Sequence, residues 1–462
     1  MRIAGTARRV APAHPGYWEG ILIQGARQFA GIAMFAALAI ALGADHLIIG
    51  IVAAIPFLAR MVHIAVPALV RRNGSWSVAR FGFAVERSGF LAAAITGAVR
   101  PGAWTIPLFL CAFAVGMIGQ ALYDGAMAAL HSEVAEPHAF GEYTSMKTRW
   151  ASISGLALGI VASLAVDYTE HLGVPPNVAR ALAIGVGIGV HCLIARPFAR
   201  MGILARERAG QRAPIPGREG SARDLLPSTS EEWAVIRLAL AWGFAYGIAA
   251  RQGEAMALRT LGVSVGAITL LNAALLGAGI LGARTWGRLG DRFGGRGLMT
   301  LALMAFALDP IWALFALFFH PVAFVPAYLI WGVFNTGWSI AQTVALVRTT
   351  GEPADRIRLV TMYNVAYGVA AGISPLIGGM LLTALDGPLS TRDAYASLFA
   401  LTVLLRLGTI PVVRRLPVEN GASARHVSYV YLRAVKSSAW RGTKTLGAML
   451  RASFVRGQRT GG

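Results

Sequence analysis

The sequence has few charged side chains, and only a minority of these are acidic. Asp, Glu, Lys and Arg make up 14% of the 462 residues, whereas 56% are hydrophobic and the mean hydropathy is +0.58. Soluble globular domains carry about 25% charged residues, so this composition excludes an ordinary soluble protein and indicates a polytopic membrane protein. No short apolar region with a small-residue cleavage site follows Arg2, Arg8 and Arg9, and no cleavable signal is expected.

Cysteine is nearly absent, and so are the short motifs of common enzyme sites. Cys111 and Cys192 both lie in apolar runs without metal-ligand spacing, so we expect small core residues rather than a disulfide or a metal site. The sequence contains no G-x-x-x-x-G-K-[ST] phosphate loop and no H-E-x-x-H, and its match to G-x-S-x-G at Gly262–Gly266 opens an apolar run and does not suggest catalysis. We therefore predict neither ATP-driven pumping nor an enzyme, and we predict no cofactor.

Basic residues outnumber acidic ones by 42 to 22, which gives a net charge of +20. They concentrate in alternate connections between apolar runs, a pattern typical of cytoplasmic loops rather than of nucleic-acid binding. The opposite connections hold little beyond Arg100, Arg259 and Arg392. This asymmetry predicts that both termini and the central segment are cytoplasmic. The residues on that side include Arg71, Arg72, Lys147, Arg149, Arg288, Arg292, Arg296, Arg348, Arg356, Arg358 and six arginines from Arg200 to Arg223.

Twelve apolar runs are long enough to cross a bilayer, which requires about 20 residues each. A polar, Pro- and Gly-rich segment, 198–232, divides them into bundles at 19–197 and 233–414, flanked by a cytoplasmic segment at 1–18 and a basic tail at 415–462. Within it, "STSEEW" at Ser228–Trp233 is a plausible helix start. The predicted spans are near 19–42, 47–70, 77–98, 104–129, 149–168, 177–197, 233–258, 264–285, 297–319, 322–346, 360–384 and 394–414.

Two pairs of segments indicate that the halves are related. Glu136-Pro137 matches Glu352-Pro353, and "ALGADHLIIGIVAAIP" from Ala41 matches "TLGVSVGAITLLNAAL" from Thr260, at offsets of about 216 and 219 residues. Similar offsets at two places favour a duplication, and related halves around a central cavity are a recurring transporter plan.

The connection after the eighth run reads G-R-L-G-D-R-F-G-G-R, and it resembles a signature of the major facilitator superfamily, approximately G-x-L-x-D-R-x-G-R-[RK]. The first-half copy, Leu69–Trp76, is degraded, with Arg71 where aspartate belongs and Gly74 kept. The resemblance, over about residues 17–414, implies an all-α membrane protein with twelve transmembrane helices in two pseudo-symmetric six-helix bundles. It also implies a conformational latch formed by Gly287, Asp291, Arg292, Gly294 and Arg296, although a simple positive-inside turn gives the same pattern.

Ionisable and polar residues inside the spans are costly, so each is a functional hypothesis. The first and fourth helices of each half line the cavity in the resembling family. Arg27 is compatible with anion binding, with an inner-gate ion pair and with snorkelling to headgroups, and Arg60 with substrate binding or a structural ion pair. Asp124 could pair with Arg27 or with a loop arginine, and Arg251 with Glu254 could form a self-contained pair or an outer gate. Asp309-Pro310 suggests a kink, and Arg406 a peripheral position. The predicted substrate-binding residues are Gln24, Arg27, Gln28, Arg60, His63, Arg251, Asn335, Trp338 and Gln342, and the proton-coupling candidates are Asp124 and Glu254.

The resulting prediction is a monomeric secondary active transporter of the inner (cytoplasmic) membrane that moves a small anionic or zwitterionic solute by alternating access, with an ion gradient as the driving force. A non-transporting scaffold on the same fold and multidrug efflux are the alternatives. Residues 417–462 carry eight basic residues and one acid, Glu419, so an amphipathic helix on anionic lipid or a disordered tail is expected there. The expected partners are the solute and the bilayer, without nucleic acid.

Overall fold

The computed structural model of the chain describes residues 14–99, 102–134, 140–209, 227–293, 295–349, 353–416 and 429–430. Within these ranges the chain is helical and contains no strand. Twelve helical segments, here called spans 1 to 12, coincide with the predicted ones. They are Pro15–Phe29 with Ile32–Ala41, His46–Ala59 with Val66–Asn73, Ser75–Ala98, Thr105–Val134, Phe140–His171, Pro176–Cys192, Ser230–Gly247 with Gln252–Arg259, Val265–Phe293, Gly295–Phe318, Phe324–Thr349, Pro353–Leu385 and Thr391–Gly408.

The spans alternate in direction, so the connections fall at two ends of the molecule. The end near His14, Ser75, Ser230 and Arg414 is called the terminal face, and the other end the opposite face. Nine helices of the described ranges are long and apolar enough to cross a membrane by themselves. The predicted all-α membrane architecture is therefore confirmed.

Helix contacts repeat between the two halves. In the first half, span 1 packs on span 5, and span 3 packs on spans 4 and 6; in the second half, span 7 packs on span 11, and span 9 packs on spans 10 and 12. The two bundles meet where span 2 packs on span 11 and where span 5 packs on span 8, and these two junctions are equivalent under the same exchange. The contacts therefore have the pseudo-twofold pattern that the internal repeat predicts.

Spans 1 and 7 are both interrupted near their middle. Span 1 breaks at Ala30 and Gly31, and span 7 breaks between Gly247 and Gln252. Ala249 follows Ala30 by 219 residues, the same offset that separates the repeated segments at Ala41 and Thr260. Each break exposes polar backbone that a continuous helix would satisfy internally, and such breaks are tolerated at membrane depth only beside protein or a cavity.

The polar segment between the halves begins in a helix, Ala195–Ala209, which packs on spans 1 and 4. The predicted start at "STSEEW" is present: the Thr229 hydroxyl accepts from the Glu232 amide, and Glu232 accepts from the Ser228 amide at 2.6 Å. This is a reciprocal capping arrangement. Glu136-Pro137, Glu352, the centre of the linker and nearly all of the tail lie outside the described residues.

The expected core position of the two cysteines is wrong. Cys111 and Cys192 are both free and both exposed. Each lies on a helix surface turned away from the bundle core, where an apolar side chain faces lipid rather than other helices. In a membrane protein an apolar run does not tell inward-facing from lipid-facing positions, because both are apolar.

Candidate functional site

A cavity with three adjoining chambers lies between the bundles. Two of these chambers share Arg60, and the third is described below. The first chamber has a volume of about 360 Å³, and the second has about 280 Å³. The first chamber is lined by Gln24, Arg27, Gln28, Arg60, His63 and Arg251, which are six of the predicted substrate-binding residues. The second is lined by the other three, Asn335, Trp338 and Gln342. The structure thus brings together all nine positions.

The break in span 1 explains how the first chamber acquires its polar wall. Gln24, Arg27 and Gln28 lie near the end of the helix that precedes the break, and Arg27 is in its last turn. A Cβ at Gly31 would stand 2.3 Å from the Arg27 carbonyl oxygen, so only glycine allows this close approach. The break in span 7 similarly presents Arg251, whose φ of 64° lies in the left-handed region that non-glycine residues rarely adopt.

Most charges on the cavity wall are paired within the wall. Arg27 donates to Asp124 at 2.8 Å, which is one of the pairings that the sequence left open. Arg251 donates to its neighbour Glu254 at 2.5 Å. Both proton-coupling candidates, Asp124 and Glu254, are thus ion-paired in this conformation.

A third chamber of about 220 Å³ adjoins the first and is lined by Asp309 and Arg406. Arg406 is only 4% exposed and donates to Asp309 at 2.9 Å and to the Phe306 carbonyl. The expectation that Arg406 is peripheral is therefore wrong. Asp309 caps no helix end but serves as the counter-charge of this arginine, inside a helix that also contains Pro310.

Arg60 differs from these arginines because no carboxylate of the described residues pairs with it. It stands where span 2 changes from α-helix to a 3-10 turn, Arg60–Ile64, four residues after Pro56. Its guanidinium carbon lies 5.6 Å from the Phe57 ring centroid and 5.9 Å from that of Tyr367. Nearby, the His63 ring nitrogen is 3.0 Å from the Ala121 carbonyl oxygen.

The second chamber has an aromatic wall that the sequence analysis did not identify as one surface. Phe57, Tyr246, Trp331 and Tyr367 are half-buried rings that line the same chamber as Arg60, and Tyr246 stacks on Trp331 at 5.5 Å between centroids. Trp338 is buried behind them, 4.7 Å from Trp242. Spacings such as Trp242 with Tyr246, and Tyr363 with Tyr367, place each pair on one helix face, and this was the available signal.

The bundles touch in the half of the molecule nearer the opposite face. Gln252 donates to the His46 carbonyl at 3.1 Å, and the Gly266 amide donates to Asp167 at 3.0 Å. A Cβ at Gly50 would stand 2.5 Å from the Pro375 carbonyl oxygen. Toward the terminal face, by contrast, Arg27 and Asp124 keep 33% and 44% of their side-chain surface exposed. The cavity is closed at the opposite face and accessible from the terminal face.

The predicted latch lies at the terminal face, where span 8 ends at Phe293 and span 9 begins at Gly295. Gly294 is outside the described residues, and the structure describes the helical backbone but not the side chains at Gly287, Asp291 and Arg292. Arg296 is half-buried in the first turn of span 9. The latch role therefore stays a prediction.

Comparisons with solved structures show the same fold in several transporters. The inward-open xylose transporter XylE from E. coli matches with a TM-score of 0.63 and 12% identity, over 90% of this chain and 98% of that one. A bacterial homologue of the iron transporter ferroportin, inward-facing, matches with a TM-score of 0.61 and 15% identity, over 87% and 97%. The peptide transporter POT in complex with sulfate matches with a TM-score of 0.60 and 18% identity, over 87% and 94%.

No protein-family model matches the chain, and no curated protein sequence matches it significantly. At these identities the structural likeness shows the fold alone, and it confirms the predicted one.

Proposed function

We propose that this chain, which has the fold of the major facilitator superfamily, is a secondary active transporter. Its cargo is a small anionic or zwitterionic solute, carried across the cytoplasmic membrane by alternating access. The predicted substrate-binding residues all line one cavity between two pseudo-symmetric bundles. The solved structures of this fold named above are a xylose transporter, a homologue of an iron transporter and a peptide transporter, which supports transport as the general activity.

The observation that carries the choice of solute is Arg60. The other arginines of the cavity wall, Arg27, Arg251 and Arg406, each have a carboxylate partner at 2.9 Å or less. Arg60 has none among the described residues and is exposed to the cavity. An unpaired arginine at membrane depth is costly, and an anionic group of the solute would compensate its charge with charge-assisted hydrogen bonds.

The conformation fits one step of an alternating-access cycle. The connections at the terminal face carry most of the loop arginines, so we assign that face to the cytoplasm by the positive-inside rule. Under this assignment the described conformation is inward-open; the similar structures of XylE and of the ferroportin homologue are inward-open and inward-facing, respectively. Separation of the bundles at the opposite face and closure at the terminal face would give the outward-open state.

Coupling to an ion gradient would use a carboxylate that changes partner during the cycle. Asp124 and Glu254 remain the candidates, because each lines the cavity and each balances an arginine beside a helix break. Protonation of either carboxylate would release its arginine toward the solute, which couples proton binding to solute binding.

The aromatic wall favours a second candidate, the efflux of amphipathic compounds, since apolar rings bind such molecules without strict geometry. The unpaired Arg60 opposes lipophilic cations, which are excluded from its neighbourhood by like charge. Nothing in the cavity favours a non-transporting scaffold, for which a polar chamber between the bundles has no use.

Uptake into proteoliposomes tests the proposal. A panel of radiolabelled organic anions, zwitterions and lipophilic cations is offered under imposed proton, sodium or no gradient. We expect gradient-dependent uptake of at least one anion or zwitterion. Arg60→Gln should lower that uptake about tenfold or more, because a hydrogen bond to a charged group contributes about 1.5–3 kcal/mol.

Arg72→Gln is the matched control, since it removes the same charge from an exposed position at the end of span 2 and should leave uptake unchanged. Asp124→Asn and Glu254→Gln separate coupling from binding: a coupling residue loses gradient-driven uptake while solute exchange continues. Gradient-independent behaviour of the whole panel would contradict the proposal, and uptake of lipophilic cations alone would favour efflux.

A further inference from the structure

The charge balance of the cavity wall indicates whether the solute is an anion or a zwitterion. A zwitterionic solute needs a free carboxylate on the wall for its ammonium group as well as a free cation for its own acid. The wall carboxylates Asp124, Glu254 and Asp309 are each held by an arginine, at 2.8, 2.5 and 2.9 Å. Among the described residues each of these carboxylates has an arginine partner whereas Arg60 has no carboxylate, so the wall carries one positive charge in excess and complements one negative charge.

The surface beside Arg60 is made of rings. Phe57 stands edge-on to Tyr246 at 5.8 Å between centroids, with an interplanar angle of 85°, and Tyr367 lies 6.1 Å from Phe57. Tyr246 stacks on Trp331 at 5.5 Å. These four side chains are only half-buried by the protein, so they keep ring surface for a solute. Aromatic faces and edges attract another ring beyond simple area burial.

Arg60 fixes where an acid and an attached ring would sit. Its guanidinium carbon lies 5.6 and 5.9 Å from the ring centroids of Phe57 and Tyr367, which are 6.1 Å apart, so it borders both rings. A carboxylate bound by Arg60 therefore places the rest of the solute within reach of the ring wall. The two chambers that share Arg60, about 360 and 280 Å³, suit a solute of one or two rings.

We infer that the cargo is an aromatic monoanion: its acid group binds Arg60, and its ring packs among Phe57, Tyr246, Trp331 and Tyr367. Exposed Asn335 on the same chamber offers a donor and an acceptor for a ring substituent. This inference rests on the proposed transport function and narrows its substrate class.

Equilibrium binding to the purified full-length protein tests the inference without requiring flux. Four probes of similar size are compared by tryptophan fluorescence and by the shift in melting temperature: phenylacetate, cyclohexylacetate, phenylalanine and phenethylamine. We expect saturable binding of phenylacetate. Cyclohexylacetate, with the same charge but no π system, should bind about threefold to tenfold more weakly, because an aromatic pair contributes about 0.5–1.5 kcal/mol. Phenylalanine and phenethylamine should bind more weakly still.

Variants assign the two parts of the site. Arg60→Gln should abolish phenylacetate binding, and Arg60→Lys should restore part of it; Tyr367→Leu should retain binding but remove the preference over cyclohexylacetate. Arg72→Gln should bind like the wild type. Equal affinity for phenylacetate and cyclohexylacetate, equal affinity for phenylalanine, or no saturable binding of phenylacetate would each overturn the inference.

Failure of this inference and failure of the transport proposal give different results. Gradient-driven uptake of a non-aromatic anion without phenylacetate binding would overturn the inference and leave the transport proposal intact. Binding of phenylacetate with the expected preference, but without flux of any solute, would support the site and contradict transport.

Discussion

Glu19 is the single acid of span 1, and it lies at the centre of a charged cluster that is separate from the cavity. It is 2% exposed, forms an ion pair with Lys147 Nζ at 3.0 Å and accepts a hydrogen bond from the Tyr123 hydroxyl at 3.1 Å. His131 lies 3.3 Å away and also contacts Lys147 and, at 2.7 Å, the Tyr143 hydroxyl. These contacts join spans 1, 4 and 5 near the terminal face, so the cluster holds the first bundle together.

Neutralising Glu19 should destabilise the protein. Glu19→Gln leaves Lys147, whose side chain is 24% exposed, without its counter-charge, and breaking a partly buried pair by removing one partner costs about 3 kcal/mol. We expect a clear fall in melting temperature in detergent. The double variant Glu19→Gln with Lys147→Met should recover much of the loss, since no charge is then left unpaired. A melting temperature of Glu19→Gln equal to the wild-type value would show that the cluster does not stabilise the bundle.

At this scale the sequence predicted which residues are polar within the spans but not which of them are partners. Arg251 and Glu254 are three residues apart on one helix, so their pairing could be anticipated. Arg406 and Asp309 are 97 residues apart, and their contact depends on how span 12 packs on span 9. Arg60 could be recognised as lacking a nearby acid in the sequence, but the four rings of its chamber come from four different spans.

Spans 3 and 4 pack with little side chain between their backbones. A Cβ at Gly89 would stand 2.3 Å from the Gly116 nitrogen, and a Cβ at Gly119 would stand 2.3 Å from the Glu86 nitrogen. Helices in lipid associate through such close packing of small residues rather than through the hydrophobic effect. Part of the abundant glycine in the composition is therefore explained by this interface, and Glu86 with Arg87 is held inside it, paired at 3.1 Å.

A single methyl group should distinguish this interface from an exposed helix surface. Gly89→Ala places a methyl group against backbone atoms of span 4, which cannot move aside as a side chain can. Spans 3 and 4 must therefore separate, at a cost of about 1–3 kcal/mol. Gly185→Ala in span 6 is the matched control, because a Cβ there meets nothing within 4 Å. We expect a lowered melting temperature for the first variant and an unchanged or slightly raised one for the second, as alanine favours helix. Equal effects of the two variants would show that the close approach is not limiting.

The helices themselves could be predicted from apolar length, and all twelve spans are present. Their interruptions could not be. The breaks in spans 1 and 7 fall inside the predicted spans, next to their polar residues, and no proline marks either one. They become recognisable only when the two halves are superposed in register, since they share the offset of the internal repeat. In span 2, by contrast, Pro56 lies inside the helix and precedes the 3-10 turn at Arg60 by four residues, and proline is a recognisable sign of an irregular helix.

At the scale of the whole molecule, the two bundles are held together at the opposite face by a small set of contacts. Asp167 of span 5 accepts from the Ser264 hydroxyl at 3.1 Å and from the Gly266 amide at 3.0 Å, and so caps the first turn of span 8 in the other bundle. At the equivalent junction, the His46 ring nitrogen Nε2 lies 3.5 Å from Asp386 Oδ2. The backbone carbonyl of His46 accepts a hydrogen bond from the side-chain amide of Gln252. In the proposed alternating-access cycle these bonds would exist only while the opposite face is closed, so they would bias the equilibrium between inward-open and outward-open states.

Removing the Asp167 cap should therefore shift the population without unfolding either bundle. Two lost hydrogen bonds at about 1 kcal/mol each would favour the outward-open state by about tenfold or more. Spin labels at Leu172→Cys and Leu261→Cys, in a Cys111→Ser and Cys192→Ser background, report the distance across the opposite face by pulsed electron paramagnetic resonance. Asp167→Ala should increase the longer-distance fraction. Glu170→Ala is the control, because Glu170 lies one turn away but pairs with Arg180 of its own bundle at 3.2 Å. If both variants leave the distance distribution of the unsubstituted protein unchanged, the closure of the opposite face depends on backbone packing, such as that of Gly50 on span 11, rather than on this inter-bundle cap.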